Sequence, residues 1–193
     1  MTTDDVLTLA DAEHEFPVVA EQLRFEGAKW SVWSESVDFN GHIAVRDVLR
    51  HPGAVAVAAI DDAGRLLLIR QYRHPVRALM WEIPAGLLDL VGEEPEVCAR
   101  RELLEEAGVV ARELTPLLTL ALSPGGTSER IHIFRATGLE VDVDARPLTG
   151  EAEEHDLPQL WVPLDEAVAR CLDGSIANAT AVAAILALKA STG

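Results

Sequence analysis

The sequence is short of cysteine, of basic residues and of long apolar runs, and each shortage closes off a class of function. Its two cysteines, Cys98 and Cys171, stand in unrelated contexts, so neither a disulfide framework nor a closely spaced structural zinc site is expected. Lysine and arginine number 16 against 32 aspartate and glutamate, a net charge of -16. A general nucleic-acid binder needs a basic face to displace counterions, and this balance does not supply one. A small anionic substrate is still compatible if bound cations and a few arginines screen it locally. No apolar stretch reaches membrane-spanning length, because the alanine-rich tail is broken by Asn178, Thr180 and Lys189. The segment Met1-Thr2-Thr3-Asp4-Asp5 has no apolar core of signal-peptide length, and a cytoplasmic location is the expectation.

What is present reads as one globular domain of 193 residues, 49% hydrophobic and 25% charged. Residues 28–38 and 42–49 alternate apolar and polar around Asn40-Gly41, a strong hairpin signal. The run from Gly53 to Ile60 is small and β-branched throughout, which suits a strand covered on both faces. Further strands are expected over 65–72, 78–83, 117–122, 130–136 and 157–163. Pro95 and Gly108 bracket a helix, and helices are expected again over 165–172 and 178–189. Strands, one helix, more strands and then helices make an α+β domain with a mixed sheet.

The helix ending at Gly108 carries the chemistry. Glu102, Glu105 and Glu106 lie at i, i+3 and i+4 and share one face. Like charges at that spacing cost a helix roughly 0.2–0.5 kcal/mol per pair. They also occupy its last turn, where the helix dipole disfavours negative charge. A divalent cation relieves both costs, and an all-carboxylate set suits magnesium or manganese. A solvated face on an acidic protein is the competing reading. Arg101, four residues before Glu105, is placed to hold that carboxylate beside the other two.

The larger pattern favours the metal. Glu93, seven residues, and then Arg101-Glu102-Leu103-Leu104-Glu105-Glu106-Ala107-Gly108-Val109 resemble the signature box of the Nudix hydrolase superfamily. The departure is at the front, where six residues instead of five separate Gly86 from Glu93. Outside the box, Gln71-Tyr72-Arg73-His74-Pro75, Trp81-Glu82-Ile83-Pro84-Ala85-Gly86, Ser123-Pro124-Gly125-Gly126-Thr127-Ser128-Glu129 and Ile176-Ala177-Asn178-Ala179 are similar to motifs of ADP-ribose pyrophosphatases.

That resemblance implies a mixed sheet sandwiched between helices, preceded by an antiparallel strand region over residues 1–52 that forms a homodimer, with the hydrolase domain over 53–193. It implies Mg2+ or Mn2+ on Glu102, Glu106, Glu105 and the Ala85 carbonyl, and hydrolysis of ADP-ribose to AMP and ribose 5-phosphate. Arg73 is the implied diphosphate contact, and the motif residues Glu82 and Glu129 are further substrate-binding candidates. The implied base lies in the acidic segment 150–156, where Glu153 is the first choice and Glu154 the second; a solvated loop is the competing reading. Trp30 and Trp33 either stack on adenine or pack in a core or interface. His42, His51 and His132 read as structural strand residues, and Cys98 as packed. Two alternatives stand beside this activity: a Nudix hydrolase of another nucleoside diphosphate sugar or a dinucleotide, and a non-catalytic module that senses ADP-ribose or mediates assembly.

Overall fold

The computed structural model describes residues 9–142 and 157–191. Three N-terminal strands, β1 (Val18–Glu26), β2 (Ser31–Phe39) and β3 (His42–Arg50), form an antiparallel sheet of their own. Asn40 and Gly41 turn β2 into β3 with φ of 56° and 95°, the left-handed values that such a two-residue hairpin demands. β2 starts at Ser31, later than the alternation predicts, because the Gly27 N–H closes a turn onto the Trp30 carbonyl. β1 goes unannounced in the sequence: all nine of its residues are exposed, so no buried face imposes a pattern on it.

The rest builds the layers. β4 (Ala54–Ala59) is an inner strand of a four-stranded mixed sheet, in the order β7 (Ala85–Leu87), β4, β9 (Arg130–Val141), β8 (Val109–Ala121), with β4 and β9 parallel. A second, antiparallel sheet has the order β10 (Gln159–Pro163), β5 (Arg65–Arg73), β6 (Ala78–Glu82). Helix α1 (Pro95–Ala107) packs on one face, against β4, β7 and β8. Helices α2 (Leu164–Leu172) and α3 (Ala179–Ser191) cover the other. This is the expected α+β arrangement, with helices on both faces of the mixed sheet.

β4 shows why the run at 54–59 carries no alternation. Val55, Val57 and Ala59 pack with Cys98, Ala99 and Leu103 of α1. Ala54, Ala56 and Ala58 pack with Ala181, Ala184, Ile185 and Leu188 of α3. A strand buried on both faces has no polar side to display, and small residues let both helices approach. No side chain of β1–β3 belongs to either core. Their sheet is tied on at its rim: the Leu49 amide donates to the Gly126 carbonyl, the Ser128 amide to the Leu49 carbonyl, and Lys29 pairs with Asp89 at 2.8 Å.

Cys98 is packed, as expected. It is fully buried, its thiol donates to the Leu87 carbonyl at 3.4 Å, and burial pushes its pKa from 9.0 up to about 12. Because the folded value lies above the unfolded one, the unfolded chain loses this proton first. Stability is therefore lost as pH rises from 9.0 towards about 12. A thiol reagent at about pH 8 modifies no cysteine other than Cys171 in the native protein, and both after denaturation. Rapid native labelling of two thiols would contradict this packing.

Candidate active site

Helix α1 sets the site. Pro95 opens it at the first position, and Gly108 closes it in the left-handed conformation (φ 65°, ψ 33°), its N–H turned back to the Leu104 carbonyl. There is no basic residue in its last turn. Glu102 and Glu106 are buried and Glu105 is partly so. Gln159, from β10, donates its side-chain amide to the Glu106 and Ala107 carbonyls at 3.3 Å, covering the negative end of the helix.

Arg101 organises the acids. Its guanidinium donates twice to Glu93, at 2.9 and 3.0 Å, and once each to Glu102 at 2.7 Å and Glu105 at 2.9 Å. The sequence reading paired it with Glu105 alone; the fork reaches three carboxylates, of which Glu93 receives the bidentate share. Hydrogen bonding to Arg101 holds the Glu93 carboxyl below its ordinary range, and the same bond raises Arg101 further. The six-residue spacing from Gly86 leaves this arrangement intact. Its turn, with Gly92 at φ 78°, carries the chain to Glu93, whose amide donates to the Leu90 carbonyl.

β7 supplies the opposing wall. A Cβ on Gly86 would lie 2.0 Å from the Glu102 carboxyl carbon, so only glycine lets that carboxylate in. The Ala85 N–H donates to Glu106 at 2.8 Å. Beyond Ala85 and Gly86 opens a cavity of about 450 Å³. Arg73, Glu82 and Glu129 line it, as do His51, Met80, Asn178 and Thr180. Arg73 donates two parallel bonds to Glu82, at 2.9 and 2.6 Å; Glu82 is buried while Arg73 stays part-exposed. Two parallel bonds leave this guanidinium little rotamer freedom.

Sequence reasoning passed over several of these residues. His51 lies outside any strand and on the cavity wall, which corrects its reading as a strand residue. Its position before Pro52-Gly53, where a strand cannot yet have begun, was the available signal. Asn178 caps α3 by accepting from the Ala181 amide at 2.9 Å, and so brings the helix start to the cavity. Trp30 lies apart from this cavity, 42% exposed and 5.9 Å from Phe25, ring to ring. Trp33 sits beneath the Arg50 guanidinium at 4.2 Å. Glu153 and Glu154 fall outside the described residues.

Among the described residues, no three histidine, cysteine, aspartate or glutamate side chains converge as a metal-binding group. The reason is local: Arg101 draws Glu102 and Glu105, and Ala85 draws Glu106. The donor set nonetheless fits a hard cation, with carboxylate oxygens one helical turn apart and a cradle at Gly86 that a single methyl would fill. The Gly86→Ala variant displaces Glu102, so Mn2+ affinity, read by electron paramagnetic resonance, falls by about tenfold or more. Undiminished affinity would show that Glu102 has no need of that space.

Comparison with known proteins agrees with this geometry. The NUDIX domain matches residues 49–183. The ADP-ribose pyrophosphatase of Mycobacterium tuberculosis (strain ATCC 25618 / H37Rv) is 40% identical over 94% of this chain and 86% of its own. The ADP-ribose pyrophosphatase of Bacillus subtilis (strain 168) is 37% identical over 80% of this chain and 82% of its own. A crystal structure of an ADP compounds hydrolase superposes with a TM-score of 0.76 at 25% identity, covering 93% of this chain and 95% of that one. With a match over that span, falling across the very strands and helix that carry the carboxylates, the chain belongs to the NUDIX family.

Proposed function

We propose that the protein hydrolyses the diphosphate of ADP-ribose to AMP and ribose 5-phosphate, with Mg2+ or Mn2+ as its cation. The observation that carries this reading is the pairing of buried Glu102 and Glu106 behind Ala85 and Gly86, at the edge of a cavity that Arg73 also lines. Arg101 offsets the charge of Glu102 and the Ala85 N–H that of Glu106 only in part, and a cation between the two acids would complete the compensation. A diphosphate entering a chain of net charge -16 faces the same problem.

Glu102, Glu106, Glu105 and the Ala85 carbonyl are the groups that would hold the cation. A cation held there would supply charge neutralisation of the diphosphate and activation of the attacking water. Arg101 keeps Glu105 and Glu102 from turning away, using its bonds to Glu93 as an anchor. Arg73 donates to the diphosphate, and Glu82 and Glu129 on the wall of the same cavity contribute to substrate binding. Glu153, with Glu154 as second choice, takes the proton from the attacking water. Trp30 stacks on the adenine.

The N-terminal sheet supports two further proposals. Residues 1–52 form a unit that joins two copies of the chain into a homodimer, and 53–193 form the catalytic unit. Val18, Leu23, Phe25, Ile43 and Val45 are exposed on a three-stranded sheet that contributes nothing to the core. Such a sheet is stable only when an apolar face is covered. Light scattering is expected to give a dimer, and a Phe25→Glu, Ile43→Glu double variant a monomer; a wild-type monomer would overturn the pairing. Two free thiols accord with a reducing, cytoplasmic location.

The activity is tested with purified protein against ADP-ribose, other nucleoside diphosphate sugars and dinucleotides, with each cation. ADP-ribose is expected to be turned over fastest, and Glu106→Gln to lower kcat on the order of 100-fold or more with the melting temperature preserved. Equal rates across the panel would defeat the narrow assignment. Binding without turnover would make the protein a sensing module instead.

A further inference from the structure

His51 lines two neighbouring cavities and joins the one that holds Arg73 to the one that holds Trp30. The first is the cavity of about 450 Å³ that holds Arg73, Glu82 and Gly86. The second, of about 360 Å³, is lined by Trp30, Ser31 and Arg50 where β2 begins and β3 ends. A ligand that spans a base-stacking ring and a phosphate-binding fork passes this imidazole at the junction.

The ring is held in a defined state there. The Gly53 N–H donates to His51 Nδ1 at 3.1 Å, so Nδ1 is an acceptor and the proton of the neutral ring sits on Nε2. The His51 amide donates to the Ser128 side-chain oxygen at 3.0 Å, which fixes the backbone as well. Gly53 makes the turn possible with a φ of 98°, a value that L side chains rarely adopt. Nε2 has no partner among the described residues. A neutral N–H in a strongly acidic chain is a donor that asks for an oxygen acceptor.

We propose that His51 is a specificity-determining residue, donating from Nε2 to an oxygen of the nucleoside half of the substrate, a ribose hydroxyl or the adjoining phosphate oxygen. The inference rests on the nucleotide reading of these cavities. It assigns His51 to binding: Nδ1 is engaged by the Gly53 amide, and Nε2 is the nitrogen that meets the ligand.

The test uses equilibrium binding of AMP and of ribose 5-phosphate to the full chain, by calorimetry, beside ADP-ribose hydrolysis by wild type. In His51→Asn the amide oxygen sits where Nδ1 was and keeps the bond from Gly53, but nothing replaces Nε2. AMP affinity is expected to fall by about tenfold, as for one lost hydrogen bond to a polar ligand, with ribose 5-phosphate affinity unchanged. In His51→Gln the amide nitrogen reaches the Nε2 position and restores AMP affinity to within about threefold. Equal AMP affinity in wild type and His51→Asn overturns the proposal, as does failure of wild type to bind AMP. Loss of both ligands together in the Asn variant would assign His51 to the fold and overturn it too. If AMP binding depends on His51 while ADP-ribose is not hydrolysed, the activity falls and the His51 assignment stands; hydrolysis with an indifferent His51→Asn gives the reverse.

Discussion

The structure depends on one constraint: four carboxylates must be held close together where water is scarce. Glu93, Glu102, Glu105 and Glu106 are all at most part-exposed; Glu93 precedes α1, while Glu105 and Glu106 lie at its acid-disfavouring C-terminal end. Arg101 is the counter-charge, and its five donors reach three of the four acids at once. A lysine could not replace it, because a single ammonium cannot serve Glu93 bidentately and still reach two neighbours. Removing one partner from such a cluster leaves a buried charge uncompensated, which is far costlier than the pair is stabilising.

The remaining elements follow from that cluster. Gly86 must lack a side chain so that Glu102 can enter. β7 must pair with β4 so that Ala85 presents its N–H to Glu106, and β4 must be built of small residues so that α1 and α3 both close on it. Arg73 and Glu82, on neighbouring strands β5 and β6, repeat the device on the cavity wall, where a buried acid fixes an arginine. Positive charge is scarce in this chain, and both sites fix the little they have.

The box helix was legible to its ends because Pro95 and Gly108 act locally and the acids sit at helical spacing. β4 was legible as a strand buried on both faces, and the hairpin at Asn40-Gly41 by its turn chemistry. The missing pieces were those whose cause is tertiary. β1 buries nothing in this chain, so its sequence carries no period; β7 is three residues long, with pairing that only β4 explains. The Arg101–Glu93 bond joins residues eight apart across a loop, which no helical spacing rule connects. His51 reads in the sequence as a strand residue, and its place at the meeting of two cavities is set by tertiary structure.

If the acid cluster receives a divalent cation beside β7, anomalous diffraction from crystals grown with manganese will show a peak within coordination distance of Glu102 and Glu106 carboxylate oxygens, with Arg101 still bonded to Glu93. A fully ordered cluster with no peak, or a peak bound only elsewhere, would contradict a cation site there.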